Sequence, residues 1–152
     1  MPEQEEQSKN LEFKDILNKD PFIIPFSIQG TGAATTANYG VICVMPFKCE
    51  LIQVQESHEV LGTDGGAVTL QIERLQGTEA PAAGDDLLVT AINLKGTINT
   101  VVTPALTATK TNRIFNKGDR VALKDSGTLT AVAGISGSLV FVPIGQGHHR
   151  II

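Results

Sequence analysis

From Gly40 to Ile144 the sequence consists of short runs of Val, Ile, Leu and Thr that are interrupted by turn residues. In the clearest run, 68–73, apolar and polar side chains alternate one by one. Alternation with a period of two is typical of a strand with one dry face and one wet face. We place strands at 41–45, 49–56, 68–73, 87–94, 120–124, 128–132 and 138–144. Short strands with turns between them predict an all-β sandwich or barrel of eight or nine strands with almost no helix.

The composition and charge of the chain limit its partners. A chain of 152 residues fits one domain, and its apolar content comes mainly from Val, Ile, Leu and Ala. The net charge of −4 argues against a nucleic-acid surface, which needs clustered Lys and Arg. No apolar run reaches the length of a membrane span, and residues 1–10 lack the pattern of a secretory signal. We therefore expect neither nucleic acid nor a membrane as partner.

The first 28 residues depart from the strand pattern. Residues 1–10 are acidic and polar, which predicts a flexible tail. Residues 11–20 carry apolar side chains at near-helical spacing in a stretch too short for a stable helix, so we expect an arm that orders against another surface. Two prolines confine the apolar segment 21–28 to a sheet edge or a crossing between subunits.

We therefore divide the chain into an acidic tail and docking arm, 1–28, and a β-sandwich domain, 29–152. An extended arm can add to the sheet edge of another subunit through main-chain hydrogen bonds. The alternative is that the segment folds back on its own domain as a terminal strand. The side chains predicted to form the interface are Phe13, Leu17, Phe22, Ile24, Phe26 and Ile28.

The residues that could carry chemistry form no catalytic constellation. His58 stands between Glu56 and Glu59, where we expect a solvated turn rather than a metal site or a general base. His148 and His149 could hold a metal at a symmetry axis, but the sequence identifies no further ligands. We predict no enzyme activity and no cofactor.

Cysteines and paired acids are interpreted structurally as well. Cys43 and Cys49 are expected to be small buried hydrophobic residues rather than nucleophiles. Asp64 and the Asp85–Asp86 pair are expected in turns rather than as calcium ligands. The serines lack the setting of a hydrolase nucleophile, and the glycines of 30–40 do not form a phosphate loop.

Four stretches of this chain resemble a family of small phage virion proteins. They are Tyr39-Gly-Val-Ile-Cys-Val-Met-Pro-Phe47, Gly66-Ala-Val-Thr-Leu-Gln-Ile-Glu73, Asn116-Lys-Gly-Asp-Arg-Val-Ala-Leu123 and Asp125-Ser-Gly-Thr-Leu-Thr130. The turn 117–121 is also similar to one found before a strand in trimeric jelly rolls of the tumour-necrosis-factor and complement type. In that turn Gly118 permits the reversal and Asp119 is expected to bond the backbone beyond it.

The resemblance implies an antiparallel jelly-roll sandwich with an extended N-terminal arm. It also implies a capsid decoration or cement protein, or a head or tail fibre domain, usually a trimer. We expect a homotrimer that binds the major capsid protein or other virion subunits at the capsid surface and is made in the host cytoplasm. The alternative is a fibre domain that binds a receptor or glycan, but the chain has no Trp and a single Tyr to stack on a sugar. An enzyme of the cupin or lyase type would need His and carboxylates clustered inside the barrel.

Overall fold

The computed structural model describes residues 20–28, 40–129 and 131–145, which form a β-sandwich. Its strands are β1 (Phe22–Ile28), β2 (Gly40–Val44), β3 (Cys49–Ser57), β4 (Thr69–Leu75), β5 (Asp85–Asp86), β6 (Ile92–Asn93), β7 (Ile114–Phe115), β8 (Arg120–Ser126) and β9 (Ile135–Pro143). A single 3₁₀ turn at Lys110–Arg113 is the helical structure of the described residues.

The strands form two antiparallel sheets. The first sheet has the order β1-β9-β3-β7, and the second has the order β2-β8-β4-β5, with β6 also paired to β4. The chain crosses between the sheets at most connections, and β1 and β9 lie side by side although they are far apart in sequence. This is the strand order of a jelly roll, so the predicted all-β antiparallel jelly-roll sandwich is confirmed.

The hydrophobic core lies between the two sheets. Phe115 and Phe141 pack edge to face with ring centroids 5.4 Å apart, and Phe22 stacks on Phe141 at 5.5 Å. The largest fully buried side chains are Phe115, Phe141, Met45, Leu51, Leu70, Ile72, Leu75, Leu87, Leu94, Leu123, Leu129 and Ile135.

Strand β4 is buried on both faces, so the prediction of one wet face is wrong. Gln71 is 7% exposed and Glu73 is fully buried. The Gln71 side chain donates to the Leu88 carbonyl and accepts from the Leu88 backbone N–H, at 3.1 and 3.0 Å. Glu73 accepts the backbone N–H groups of Ala82 and Gly84. The polar residues of β4 therefore hold the following segment of chain over the outer face of the sheet.

Arg74 connects the two sheets at one end of the sandwich. Its side chain is 9% exposed, and its guanidinium donates to the backbone carbonyls of Thr111 and Ile114, at the 3₁₀ turn and β7. A third bond runs to Asp85 of β5, 2.6 Å away. One side chain of the second sheet thus binds backbone at the edge of the first.

Two of the predicted strands differ from the structure. The run 87–94 contains no continuous strand, because its backbone pairs at the isolated bridge between Leu88 and Leu106 and in the two-residue β6. Described residues of 128–132 form a turn, in which Val132 N–H bonds the Leu129 carbonyl, and β9 begins at Ile135. The run is apolar because Leu129 and Val132 are buried in the core. Residues of a turn can fill a core as well as residues of a strand.

The turn before β8 forms as predicted at Gly118 but differs at Asp119. Gly118 adopts a φ of +93°, which glycine allows without strain. The Asp119 carboxylate accepts the backbone N–H of Asn116 at 2.8 Å. It therefore bonds the backbone that precedes the turn and not, as expected, the backbone that follows it.

Candidate interaction surface

The outer face of the first sheet is exposed and mostly apolar at one end. Ile23 of β1 is 63% exposed and lies opposite Val140 of β9, which is half-buried. Ile52 of β3 is 44% exposed. A β-bulge between Leu51 and Gln53 adds one residue to β3, so Ile52 and Gln53 are both exposed. We call this surface the open face and define it by Ile23, Pro25, Ile52, Val140 and Val142.

Charge is nearly absent from the open face. The four strands of this sheet, all of them described, contain two charged residues, Glu50 and Glu56. Glu56 is buried on the inner side. Glu50 lies at one margin of the open face, opposite Val142, and its carboxylate is 3.6 Å from Arg113 and 3.8 Å from Lys110. That margin therefore carries two cations for one anion.

The opposite end of the same outer face is polar but uncharged. Ser27 of β1 lies opposite Ser136 of β9, and Ser136 lies opposite Ser57 of β3. Ser136 is exposed and stands four residues from Val140 on the same strand. The face thus changes from apolar to hydroxyl-bearing along β9, without a charge to solvate either end.

The outer face of the second sheet is of a different kind. Lys124 of β8 forms an ion pair with Asp86 of β5, and Arg120 donates to the carbonyls of Gly77 and Glu79. These bonds, with those of β4, fasten the chain's own segment from Gly77 to Leu88 across that sheet. Within residues 20–28, 40–129 and 131–145, the chain covers one outer face with its own loop and leaves the other exposed.

The four predicted interface residues of β1 point into the chain's own domain. Phe26 and Ile28 are 6% and 3% exposed and belong to the core, and Phe22 and Ile24 are partly buried against it. β1 pairs with β9 along its whole length, which is the alternative of a terminal strand that folds back on its own domain. Phe13 and Leu17 lie outside the described residues, so their contact with another subunit stays a prediction.

The exposed residues of β1 are those that the sequence interpretation passed over. Successive side chains of a strand alternate between faces, so choosing the wrong phase exchanges the inner and outer sets. Ile23 and Pro25 face outward, between the inward Phe22, Ile24 and Phe26. The sequence signal for an apolar outer face was the unbroken apolar run Phe22-Ile-Ile-Pro-Phe26. A strand with one face in water has polar residues at alternate positions, whereas this run is apolar at both odd and even positions.

Glu56 and His58 form a buried pair, so the prediction that His58 lies in a solvated turn is wrong. Each residue is 1% exposed, and His58 Nδ1 lies 3.0 Å from Glu56 Oε1. His58 Nε2 lies 3.4 Å from the Gly96 carbonyl, which can only accept, so Nε2 carries a proton.

The buried pair stands where a long loop joins β3. Glu56 and Val102 exchange two backbone hydrogen bonds, and the Asn99 N–H donates to the His58 carbonyl. Burial raises the pKa of Glu56 above its ordinary value, although the hydrogen bond and the charge of His58 act in the other direction. Glu56 Oε2 is buried without a hydrogen-bond partner, so the arrangement favours a neutral carboxyl and serves to fasten the loop.

The cysteines have the properties expected of structural residues. Cys49 is fully buried, and burial, reinforced by the nearby Cys43 and Asp119, raises its pKa to about 12. Burial also raises the pKa of the partly buried Cys43. Neither thiol forms the thiolate that nucleophilic or metal-binding chemistry requires near neutral pH.

The acidic turn residues are engaged by groups of the protein itself. Asp64 accepts the backbone N–H of Thr128, which holds its pKa below the usual value, while the Lys95 ammonium donates to the carbonyls of Asp64 and Gly66. Asp85 pairs with Arg74 and Asp86 with Lys124. Within the described ranges no three His, Cys, Asp or Glu side chains lie together as a metal site. His148 and His149 lie outside those ranges.

Comparison with known proteins agrees with the strand order. No family model and no curated protein matches the sequence. A chain from the capsid of Ralstonia phage GP4 has a similar structure, with a TM-score of 0.63 at 20% sequence identity over 85% of this chain and 88% of that chain. A chain of the cyanophage Pam1 capsid asymmetric unit aligns over 81% of each chain with a TM-score of 0.45 at 13% identity.

The strand order and the likeness to the GP4 capsid chain define this protein as a two-sheet jelly roll. At 20% identity the likeness concerns the fold. No helix among the described residues is long and apolar enough to cross a membrane.

Proposed function

We propose that this chain is a structural protein of a phage virion, a capsid decoration or cement protein that acts as a homotrimer on the capsid surface. The observation that carries the proposal is the open face, where one sheet of a jelly roll exposes apolar side chains with almost no charge. Depletion of charged residues is the compositional mark of an interface core. The fold shared with a chain of the GP4 capsid supports the same class of role.

The size of the open face suits a contact of low affinity, which several linked copies would strengthen. Three long strands about 4.8 Å apart, with roughly seven residues each at about 3.4 Å, give a face of roughly 350 Å². If half of it is apolar, its burial contributes about 4 kcal/mol before the cost of association, at about 25 cal/mol per Å². A homotrimer attached at several points multiplies such contacts by raising the effective concentration of each.

The proposal is tested on particles that carry the protein. Mass spectrometry of purified virions should find the chain, and native mass measurement of the free protein should find three copies. Particles stripped of the chain should release their DNA at a lower temperature, and added wild-type protein should restore the original temperature.

A pair of variants on one strand provides the matched control. Val140→Asp places a charge at the centre of the open face and should abolish the restoration of heat resistance, whereas Ser136→Asp places the same charge at the polar end of β9 and should retain it. Stripped particles that resist heat as well as complete ones would contradict the cementing role.

A further inference from the structure

We infer that the open face binds residues 11–19 of a second copy of this chain, an inference that rests on the proposed homo-oligomeric function. The first ground is area. A stable interface between whole subunits needs about 800 Å² from each partner, more than twice the roughly 350 Å² of this face. A single short segment with a few apolar side chains fits a face of that size, as in other cases where an extended or helical peptide docks on a domain.

The second ground is the composition of the segment. Residues 11–19 read Leu-Glu-Phe-Lys-Asp-Ile-Leu-Asn-Lys and bring four large apolar side chains in nine residues. The chain offers few such groups elsewhere before β1, since residues 2–10 contain none. Burial of these apolar side chains against an apolar surface lowers the free energy, because it removes apolar area from water.

The third ground is charge. Residues 1–10, which precede the docking segment, contain three acidic side chains and one basic side chain, a net charge of −2, whereas residues 11–19 carry two of each and are neutral. The margin of the open face near Val142 has Lys110 and Arg113 around the single carboxylate of Glu50. The Lys110 side chain is 67% exposed, so its charge is available to a partner. Opposite charges on residues 1–10 and on the margin favour docking of the adjoining segment and set its direction.

The fourth ground is the direction in which the chain approaches β1, and it selects a second copy over the same copy. Asp20 and Pro21 continue into β1 without a turn or bend, and the residue before a proline is held extended. At Asp20 the chain is therefore directed towards the end of its own sheet, near Pro143. Nine extended residues reach about 30 Å, comparable to the diameter of a domain of this size.

The inference is tested by disulfide cross-linking between copies of the full-length protein. Copies with Leu17→Cys are mixed with isotope-labelled copies with Val140→Cys, allowed to exchange subunits and oxidised gently. Mass spectrometry should find a mixed cross-linked dimer. Copies with Phe13→Cys provide a second position on the arm, and Ile23→Cys, at a site 63% exposed, provides a second position on the face.

Two controls make the result specific. Ser136→Cys lies on the same strand about 13 Å from position 140 and should give little mixed product. The unsubstituted chain gives the background from Cys43 and Cys49. Circular dichroism and melting temperature confirm that each variant is folded. A further variant carries Leu17→Cys and Val140→Cys in one copy. The inference is overturned if a disulfide forms only within that copy, or if no disulfide forms between any arm position and any face position.

Assembly provides a measurement that needs no added cysteine. Leu17→Asp and Val140→Asp should each raise the dissociation constant of the oligomer at least about tenfold, while Ser136→Asp should leave it unchanged. An oligomer that is unaffected by both charges contradicts the docking. The proposed function fails separately, if the chain is absent from virions while the cross-link between free copies still forms.

Discussion

The buried Arg74 offers the sharpest test of how the two sheets are held together. Replacing it with methionine keeps most of the apolar stem and removes all the donors. The variant Arg74→Met loses the bonds to the carbonyls of Thr111 and Ile114 and the bond to Asp85. Since Arg74 belongs to the second sheet while the two carbonyls belong to the 3₁₀ turn and the edge strand of the first, the loss acts on the contact between sheets.

The size of the effect follows from the surroundings of each bond. A hydrogen bond to a charged group contributes about 1.5–3 kcal/mol, and the variant loses two such bonds, those from Arg74 to the two carbonyls. Thr111 is exposed, so water can replace part of that bond, and the buried Nε of Arg74 has no partner, which lowers the worth of the native arrangement. The Asp85 side chain is 40% exposed, and an ion pair of that kind contributes less than about 1 kcal/mol. We expect Arg74→Met to lower the free energy of unfolding by about 2–4 kcal/mol.

Urea unfolding followed by circular dichroism measures this difference, since the chain has no Trp to report by fluorescence. The control is Lys124→Met in the same sheet, which loses an ion pair whose side chains are 27% and 49% exposed. It should cost less than about 1 kcal/mol. Equal losses in the two variants would refute the reasoning, because they would mean that Arg74 contributes no more than a surface charge.

Three further outcomes follow from close contacts and from titration. Gly137→Ala should lower the melting temperature, because a Cβ there would lie 2.3 Å from both the Gln55 carbonyl and the Phe26 ring, whereas Gly65→Ala, which meets nothing within 4 Å, should be neutral; similar melting curves would contradict this packing. Because burial raises the pKa of Glu56 above 4.5, the folded state holds that proton more tightly than the unfolded state. The wild type should therefore lose stability relative to Glu56→Gln as the pH rises above about 4.5, and a constant difference in urea titrations would contradict the raised pKa. With Cys49 at a pKa of about 12 and that of Cys43 raised, iodoacetamide at pH 8 should label both thiols far faster in urea than in buffer, and rapid labelling of Cys49 in the folded protein would contradict its burial.

The fold class was accessible from the sequence because strand period and turn residues are local properties. β3 and β8 were found within one or two residues of their observed bounds, since alternating apolar residues mark each strand and turn residues end it. The two-residue β7 was missed, because Ile114 and Phe115 show no alternation and pair with β3 only through tertiary structure. A strand was predicted at 128–132 because the run is apolar. Its described residues form a turn, and Leu129 and Val132 are apolar because they are buried in the core.

The burial of polar residues was not accessible from local pattern. Gln71 and Glu73 alternate with apolar neighbours as surface residues do, yet a loop 17 residues along the chain covers Gln71. His58 and Glu56 likewise have the composition of a turn and the environment of a core. In both cases the chain's own backbone groups satisfy the polar side chain, and such partners are brought together by topology rather than by sequence neighbours.

The interface residues predicted on β1 differ from the residues that β1 exposes, because alternate side chains of the strand face the core and the solvent. Its even-numbered residues pack on the core and its odd-numbered residues Ile23 and Pro25 face outward, and an unbroken apolar run does not say which set faces which way. Pro25 also limits pairing along the free edge of β1, because it offers no N–H to a further strand. The proposed contact with another chain would therefore use the open face rather than this edge. The outer faces of the two sheets also differ in charge. The outer face of the second sheet carries the Lys124–Asp86 ion pair and is covered by the chain's own loop. The first sheet has charge only at the Glu50 margin of its open face, and an exposed apolar face of this kind lowers solubility unless another chain covers it.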